Sequence, residues 1–292
     1  MSKESHCNSS CGSSTCASQT EAQHKKALEG KQIEQSLSRI KYKLLVMSGK
    51  GGVGKSSISA NLAVAFARKG LRVGLMDVDL HGPSIGTIMG AGRKITSSGG
   101  SRIIPEICDD HLKVVSIDYL LENKDQPLIW RGPVKMGVIR QFIADVQWGD
   151  LDILVIDSPP GTGDEPLTVA QAVKDAKAII VTTPQQVALA DVRKSINFCR
   201  KIDLDMLGII ENMGPFFCPC CGKSVDVFKS GGGETIAKQM GIAFLGTLPF
   251  DPELTKACDS GRPMKAGKKG SGFSAALDAC LSRLYDQLPM GD

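Results

Sequence analysis

The segment Gly49–Ser56 limits the fold of this chain more than any other part of its sequence. It reads Gly-Lys-Gly-Gly-Val-Gly-Lys-Ser and matches the pattern G-x-x-x-x-G-K-[S/T]. The apolar run Leu44–Met47 precedes it as a short strand, and the helix-forming stretch Ser56–Lys69 follows it. Glycines allow the backbone N–H groups to wrap a phosphate, and the N-terminus of the following helix adds positive potential. The segment therefore predicts a phosphate-binding loop between a strand and a helix.

Each residue type in this loop has a predicted role in binding a nucleotide. Lys55 neutralises the β- and γ-phosphate oxygens, and the hydroxyl of Ser56 is a ligand for Mg²⁺. An ordinary glycine-rich turn is the alternative, but the fixed positions and the strand-to-helix context favour nucleotide binding. The predicted nucleotide-binding residues of the loop are Gly49, Lys50, Gly51, Gly52, Val53, Gly54, Lys55, Ser56 and Ser57.

Strand-like and helix-like segments alternate along the rest of the chain. This alternation predicts an α/β fold with a mainly parallel β-sheet flanked by helices on both faces. Together with the phosphate loop, it predicts a P-loop NTPase domain. Apolar residues at helical spacing from Phe273 to Leu288 predict a C-terminal helix that packs on the sheet. Helices are also predicted at Val134–Val146 and Ala188–Ile202. The further predicted strands are Leu71–Met76, Lys113–Ile117, Ile153–Asp157, Ala178–Thr183, Met206–Glu211 and Ala243–Leu248.

Residues 1–40 differ in composition from the remainder. They are rich in Ser, Gln and Lys, and their sparse apolar residues, Leu28, Ile33, Leu37 and Ile40, allow at most one short amphipathic helix. This predicts a flexible, cysteine-containing N-terminal tail over residues 1–40 and one domain over residues 41–292. With 42% hydrophobic and 23% charged residues, the chain has the composition of a globular domain rather than of a disordered or fibrous protein.

Charge and hydropathy exclude several classes of partner. Lys and Arg number 35 and Asp and Glu number 31, and the net charge of +4 is too small to indicate nucleic acid or a membrane surface. Apolar runs are far shorter than the roughly 20 residues that cross a bilayer, and the Ser- and Cys-rich start lacks the apolar core of a secretory signal. We therefore expect a cytoplasmic protein, in which ten cysteines favour metal binding or thiol chemistry over disulfides.

Three aspartates at predicted strand ends complete the expected nucleotide site. Asp157 follows the apolar run Ile153–Ile156, as in a Walker B element, and is the predicted Mg²⁺ ligand, directly or through water. Asp79 is predicted to orient the attacking water or to accept its proton. Asp77 is either a further group at Mg²⁺ or a carboxylate that caps a turn. Segment 158–164 has the prolines and glycines of a loop that responds to the γ-phosphate, with a rigid loop as the alternative.

Several motifs together carry a resemblance to a known family. Lys50 is a second lysine inside the phosphate loop, which is the mark of the deviant Walker A, or MinD-like, ATPases. From about residue 40 to residue 288 the chain is more specifically similar to the Mrp/ApbC family of iron-sulfur cluster carrier ATPases. The matching segments are Asp77–Ser84, Trp130–Pro133, Asp157–Asp164 and Cys218–Cys221.

The resemblance implies a slow ATPase that uses ATP and Mg²⁺ and forms a homodimer with sandwiched nucleotides. In such a dimer Lys50 reaches the nucleotide of the partner, so that the implied catalytic residues are Lys50, Lys55 and Asp79. The resemblance also implies that Asn212 hydrogen-bonds the adenine, since an amide offers both a donor and an acceptor. A turn-forming asparagine is the alternative. The implied activity is the delivery of a [4Fe-4S] cluster to apo iron-sulfur proteins.

The motif Cys-Pro-Cys-Cys at positions 218–221 lies in a loop after a predicted strand. Two thiolates per chain become four when a twofold dimer brings two copies together, and four thiolates complete a [4Fe-4S] site. The resemblance assigns the ligand role to Cys218 and Cys221. Zinc at the same place and a redox pair are the alternatives, and Cys220 is either a third thiol in transfer or a bystander.

The remaining cysteines fall into two groups. Cys7, Cys11 and Cys16, with His6, are candidates for a second cluster in the tail, although their spacing departs from the four-cysteine motif of some eukaryotic family members. The other group occurs in mixed or apolar surroundings and is predicted to be structural. It consists of Cys108, Cys199, Cys258 and Cys280.

Two other functions remain as alternatives. The first is a positioning switch similar to MinD or ParA, whose output is binding to a membrane or a partner. Asp278, Arg283 and Asp286 argue against a basic, membrane-seeking face on the C-terminal helix. The second is an electron donor similar to the nitrogenase iron protein, but segment 164–177 contains no cysteine that would bind a cluster there.

Overall fold

Strands and helices alternate along the chain, as the apolar segments predict. The structure is a computed structural model and describes residues 27–91, 102–120, 132–218, 220–263 and 272–288. Its strands are β1 (Ile40–Ser48), β2 (Val73–Asp77), β3 (Glu106–Asp109), β4 (Leu112–Ser116), β5 (Leu151–Asp157), β6 (Ala176–Thr182), β7 (Met206–Gly214), β8 (Phe216–Phe217), β9 (Ser224–Val225) and β10 (Phe244–Pro249). Its helices are α1 (27–37), α2 (Lys55–Arg68), α3 (Ile85–Met89), α4 (Gly132–Asp145), α5 (Asp164–Ala172), α6 (Gln186–Lys201), α7 (Gly232–Met240), α8 (Pro252–Asp259) and α9 (Gly272–Tyr285).

Eight strands form one sheet in the order β10-β7-β6-β1-β5-β2-β4-β3. Neighbouring strands are parallel except for β3, which pairs with β4 in the antiparallel direction. The predicted α/β fold with a mainly parallel sheet is therefore confirmed. Strands β8 and β9 form a separate hairpin. The apolar pattern predicts neither β3 nor this hairpin, because β3 is mostly exposed and each hairpin strand has two residues.

Strand β1 lies at the centre of the sheet, between β5 and β6, and is apolar on both faces. Leu44 and Val46 pack in one core with residues of α2 and α9, whereas Leu45 and Met47 pack in a second core with residues of α4. All four side chains are fully buried. Because helices cover both faces of the sheet, β1 is a continuous apolar run rather than an alternating one.

The C-terminal helix α9 uses its apolar face inside the domain. Phe273, Leu277, Leu281 and Leu284, together with Leu288 just after the helix, are buried in the core that contains Leu44. The predicted packing of this helix on the sheet is therefore confirmed. Among the residues that the structure describes, no helix combines the length and the apolar character that crossing a bilayer requires.

Residues 27–40 pack against the domain, although the predicted tail extends to residue 40. Ile33 and Leu37 of α1 are each 5% exposed, and Ile40 begins β1. All three side chains join the core that contains Met47. The folded domain therefore begins earlier than residue 41, because one amphipathic helix suffices to bury this apolar face. The cysteine-containing segment 1–26 lies outside the described residues.

The parallel arrangement brings the carboxyl ends of the strands to one edge of the sheet. At this edge β1 leads into the phosphate loop and β7 leads into the cysteine hairpin. In the register of the sheet, Asp77 of β2 lies beside Asp157 of β5, and Asp157 lies beside Val46 of β1. The topology thus collects the predicted site residues at one place.

Replacement of Leu37 by alanine tests the packing of α1. We expect the free energy of unfolding to fall by about 2–4 kcal/mol, because a buried leucine is lost from the core. Urea denaturation followed by circular dichroism measures the change. Leu28→Ala is the matched control in the same helix, since Leu28 is 49% exposed, and its effect should stay within about 0.5 kcal/mol. Equal, negligible effects of both substitutions would contradict the packing of α1.

Candidate functional site

Loop 49–54 connects β1 to α2 and passes close to two other parts of the chain. Gly54 has a φ of 81°, in the left-handed region, and a β-carbon there would collide with the side-chain amide of Asn212. A β-carbon on Gly49 would come within 2.5 Å of the main-chain oxygen of Asp191 in α6. Backbone conformation and close approach therefore explain why the first and last glycines of the loop cannot carry a side chain.

Lys55, the first residue of α2, is buried at the centre of a charged cluster. Its Nζ lies 2.9 Å from Oδ1 of Asp157 and 3.9 Å from Oδ2 of Asp79. Asp157 is fully buried and also accepts hydrogen bonds from the hydroxyls of Ser56, at 2.5 Å, and Ser59, at 2.7 Å. Buried charges need such partners, because an unpaired charge in the interior is costly. The fold thus brings the predicted residues Lys55, Ser56, Asp79 and Asp157 together.

The oxygens of Asp77 are engaged by the chain itself. Oδ2 accepts hydrogen bonds from the N–H of Ser84 at 3.0 Å, the N–H of Ile85 at 3.1 Å and the hydroxyl of Ser116 at 3.1 Å. Burial and the charge of Asp157 raise the pKa of Asp77 to about 7, while its N–H donors act in the opposite direction. The structure therefore favours the turn-capping interpretation, in which Asp77 holds the start of α3.

Asp79 differs from Asp77 because it borders a cavity. Its Oδ1 accepts hydrogen bonds from the N–H groups of His81, at 3.2 Å, and Gly82, at 3.3 Å, while Oδ2 lies on the side of Lys55. Burial raises the pKa of Asp79, and the ammonium of Lys55 counteracts this effect. A carboxylate that is held by backbone donors and has a raised pKa is suited to orienting water and taking up a proton.

The cavity beside these residues has a volume of about 550 Å³, which is typical of small-molecule sites. One wall is the phosphate loop with Lys55, and another consists of Phe250, Asp251 and Leu254, which follow β10. Sequence reasoning missed this second wall. The available signal was Asp251-Pro252 directly after a strand, since Asp251 caps α8 by accepting a hydrogen bond from the N–H of Glu253 at 2.9 Å.

Asn212 borders the same cavity at the end of β7. Its Nδ2 donates a hydrogen bond to the main-chain oxygen of Val53 at 2.9 Å, and the residue is 8% exposed. The side chain thus holds the phosphate loop, and its contact with adenine stays a prediction. The next residue, Met213, has a φ of 57°, in the left-handed region that residues other than glycine seldom adopt.

Lys50 is placed differently from Lys55. Gly51 and Gly52 line the cavity, whereas Lys50 is not among the described residues that do so, and it is half-buried. Its main-chain oxygen accepts a hydrogen bond from the hydroxyl of Ser48 at 2.9 Å. The action of Lys50 on a partner's nucleotide stays a prediction.

A second charged cluster joins three elements around this edge of the sheet. Nε2 of His81, in the loop after β2, lies 2.6 Å from Nζ of Lys135 in α4 and 3.0 Å from Oε1 of Glu165 in α5. Nζ of Lys135 also lies 3.2 Å from the same oxygen of Glu165. Sequence reasoning missed this cluster, because its members are far apart along the chain and match no motif.

The cysteine motif forms the turn of the β8–β9 hairpin, which follows β7. The N–H of Cys218 donates a hydrogen bond to the main-chain oxygen of Lys223 at 2.9 Å, and the N–H of Gly222 donates one to the oxygen of Cys218 at 2.8 Å. The N–H groups of Cys221 and Cys220 also lower the pKa of Cys218 by hydrogen bonding to its sulfur. A lower pKa favours the thiolate, which is the form that binds metals.

The described residues of one chain do not by themselves complete a metal site. Among the described residues, no group of three or more His, Cys, Asp and Glu side chains is placed to hold a metal ion. Cys218 is half-buried, and Cys220 and Cys221 are exposed at the hairpin turn. A cluster with four thiolate ligands at this hairpin therefore needs ligands from outside the described residues.

The other cysteines have different surroundings. Cys199, Cys258 and Cys280 are buried, as expected of structural residues, whereas Cys108 is exposed on β3. Burial raises the pKa of Cys199 and of Cys280 to about 11 each. The tail candidates lie outside the described residues and include His6, Cys7, Cys11 and Cys16.

Known proteins resemble this chain over most of its length. Residues 39–285 match the family described as ParA: NUBPL iron-transfer P-loop NTPase. The iron-sulfur cluster carrier protein of Methanocaldococcus jannaschii is 46% identical over 262 residues, which cover 88% of this chain and 90% of that protein. The cytosolic Fe-S cluster assembly factor NUBP2 of Rattus norvegicus is 43% identical over 259 residues, which cover 87% of this chain and 96% of that protein.

Solved structures show the same relationship in three dimensions. A nucleotide-binding protein from Archaeoglobus fulgidus, in complex with ADP, has a TM-score of 0.72 and 39% identity, with 82% of this chain and 94% of that chain covered. The MinD cell division protein of Aquifex aeolicus has a TM-score of 0.59 and 22% identity, with 84% and 97% covered, and shows the shared fold alone. By the family match and the level of identity to these relatives, the chain belongs to the NUBPL iron-transfer P-loop NTPase family.

Proposed function

We propose that this protein is an ATP-hydrolysing carrier that holds a [4Fe-4S] cluster between two copies of the chain and transfers it to apo iron-sulfur proteins. The observation that carries the proposal is an incomplete metal site, an exposed hairpin with two predicted thiol ligands, beside a nucleotide-sized cavity. The names of the archaeal and rat relatives support the cargo, and the ADP complex of the Archaeoglobus protein supports the nucleotide. The name of the rat relative also supports a cytosolic location.

In the proposed reaction, water attacks the γ-phosphorus of ATP and ADP leaves. Lys55 supplies positive charge to the β- and γ-phosphate oxygens from a fixed position, since Asp157 and Asp79 already hold its ammonium group. Asp79 orients the water or accepts its proton, in agreement with its raised pKa and its place at the cavity. Loop residues 49–57 bind the phosphates, and Asn212 contacts the base.

The groups around Lys55 also suit Mg²⁺. The hydroxyl of Ser56 lies 2.5 Å from Oδ2 of Asp157, and Ser56 borders the cavity. Hydroxyl and carboxylate oxygens are the ligands that Mg²⁺ prefers. In this proposal Ser56 is a direct ligand and Asp157 acts directly or through water, whereas Asp77 supports them from its place beside Asp157. When bound, Mg²⁺ supplies further positive charge to the phosphates.

In this proposal the cluster is cargo that must be released, and a site shared by two chains suits such release. A twofold axis that passes near the hairpins would bring Cys218 and Cys221 of both copies around one cluster. The lowered pKa of Cys218 favours the thiolate that binds iron. Exposure of Cys221 gives a recipient protein access to the bound cluster. A site enclosed by one chain would retain its metal more firmly and would suit a structural role.

Substitution of the two predicted ligands tests the cargo site. After anaerobic reconstitution, Cys218→Ala with Cys221→Ala should lose nearly all bound iron and sulfide, because two of the proposed thiolates disappear from each chain. Metal and sulfide analysis with the visible spectrum measures the loss. Cys220→Ala is the matched control at the same exposed turn and should retain the cluster. Wild-type protein that binds zinc without sulfide, or a double variant that binds as much iron and sulfide as wild type, would contradict the assignment.

Replacement of Lys55 tests the proposed hydrolysis. We expect Lys55→Ala to lower the rate of phosphate release from ATP by about 100-fold or more, because a fixed charge at the transferred phosphate is lost. The variant should also lose about 3–5 kcal/mol of stability, since Asp157 is left buried without its cation. Phosphate release is therefore measured at a temperature at which circular dichroism shows the variant folded. Lys174 is an exposed lysine two residues after the end of α5. Lys174→Ala is therefore the control, and equal rates of both variants would contradict the enzymatic assignment.

Mixing two inactive variants tests the action of Lys50 across the dimer. Lys50→Ala keeps its own Lys55 but lacks the partner-directed lysine, whereas Lys55→Ala retains Lys50. In a random mixture half of the dimers are mixed and each has one complete site, so we expect about one quarter of the wild-type rate of phosphate release. Mixing either variant with more of itself provides the control. A mixture that stays as inactive as its components would contradict the shared site.

A further inference from the structure

The cysteine hairpin meets the wall of the nucleotide cavity through aromatic rings. Phe250, the residue after β10, lines the cavity. The centroid of its ring lies 6.3 Å from that of Phe216 and 6.2 Å from that of Phe228, with interplanar angles of 59° and 80°. Tilted and edge-to-face pairs at this separation are favourable arrangements of aromatic rings. One residue of the cavity wall thus contacts both arms of the segment that carries the cysteines.

The rest of this segment has little burial. Residues 220–227 are exposed, whereas Phe216 and Phe228, which flank the motif on its two sides, are half-buried. The backbone hydrogen bonds of Cys218 join it to Lys223 and Gly222, inside the hairpin. Segments with few buried contacts and exposed backbone hydrogen bonds are among the least stable parts of a fold. The position of Phe250 therefore bears directly on where the hairpin lies.

A backbone connection runs parallel to the aromatic one. The N–H of Phe250 donates a hydrogen bond to the main-chain oxygen of Gly214 at 3.4 Å, at the end of β7. Two residues earlier, Asn212 holds the phosphate loop through Val53. Strand β7 thus passes from the phosphate loop to Phe250 and then directly into the hairpin. Two groups that border the cavity, Asn212 and Phe250, are both connected to the cysteine segment.

We infer that Phe250 is a positioning residue that couples nucleotide occupancy of the cavity to the placement of Cys218 and Cys221. The inference rests on the proposed function, because it concerns the regulation of that same site. A nucleotide in the cavity contacts Phe250 on one side, while Phe216 and Phe228 contact it on the other. A shift of this ring moves the hairpin and changes the access of solvent and partner thiols to the two cysteines. Coupling of this kind requires that the nucleotide interact differently with the two arrangements.

The reactivity of the two thiols in cluster-free protein reports this coupling. The full chain is labelled with N-ethylmaleimide alone, with Mg-ADP and with Mg²⁺ plus a non-hydrolysable ATP analogue, and the rates at Cys218 and Cys221 are quantified by peptide mass spectrometry. We expect at least one nucleotide to change these rates by about fivefold or more, the lower end of typical allosteric couplings. Unchanged rates in the wild-type protein with saturating nucleotide would overturn the inference.

Variants of the aromatic contact separate coupling from simple anchoring. Phe216→Leu and Phe228→Leu each remove one ring that contacts Phe250. Each should reduce the effect of the nucleotide on labelling while nucleotide binding persists, since neither residue is among the described residues that line the cavity. Val227→Ala, at an exposed position of the same segment, is the control and should respond as wild type does. Phe250→Leu should also abolish the effect, and because Phe250 lines the cavity, its labelling is measured at nucleotide concentrations that saturate this variant. A full response in these variants would overturn the inference.

The experiment distinguishes this inference from the proposed function. Labelling requires neither iron nor sulfide, so the coupling is measured even if reconstitution shows that the wild-type protein binds no cluster. In that case the proposed cargo is wrong. The labelling rates of Cys218 and Cys221 still test the effect of Phe250 on the two thiols. Conversely, a wild-type protein that binds a cluster but shows no nucleotide effect on labelling retains the proposed function and loses the coupling.

Discussion

The parallel sheet, with β1 at its centre, is the constraint on which the rest of this structure depends. Parallel strands end at the same edge, and in this chain the ends carry the phosphate loop after β1, Asp157 on β5 and Asn212 on β7. Fully buried apolar side chains on both faces of β1 and β5 hold this edge in register. Charged groups such as Lys55 and Asp157 are buried here only because each lies within ion-pair distance of the other.

Strand β7 connects the two halves of the proposed function. Two neighbouring buried residues near the end of β7 have different partners. Glu211 accepts hydrogen bonds from the N–H groups of Gly231 and Gly233 at the start of α7. Asn212 donates a hydrogen bond to Val53 of the phosphate loop. The cysteine hairpin lies between β7 and α7, so Glu211 secures the far end of the segment that begins at Phe216. The phosphate loop and both ends of the cysteine segment are thereby tied to neighbouring residues of one strand. In the proposed function, this arrangement would connect a bound nucleotide to the two predicted cluster ligands through one strand.

Local patterns predict those parts of this structure that depend on short sequence segments. The phosphate loop, the apolar strands and the approach of Lys55 to Asp157 follow from a motif and from the rule that parallel strands end together. The hydrogen bonds of Asp77 and the aromatic contacts of Phe250 cannot be predicted in this way, because they involve partners that are distant in sequence. In the sequence, Asp77 has the position of a metal ligand. In the structure, three groups donate hydrogen bonds to its Oδ2, and one of them is the hydroxyl of Ser116. The composition of residues 1–40 also did not predict the packing of α1, because a polar segment can bury a few apolar residues at helical spacing.

In the proposed carrier, the exposure of the cysteine hairpin allows the cluster to be released. A buried site with four ligands from one chain would satisfy the same iron chemistry, but its release would require part of the core to open. Here the turn lies outside the core, and Cys218 owes its lowered pKa to N–H groups of the turn itself rather than to a buried cation. The lowered pKa favours the thiolate form of Cys218 through groups of the same chain. In the proposed function, assembly of the cluster site depends on bringing two such hairpins together. A nucleotide bound at the same edge of the sheet would lie close enough to control that step.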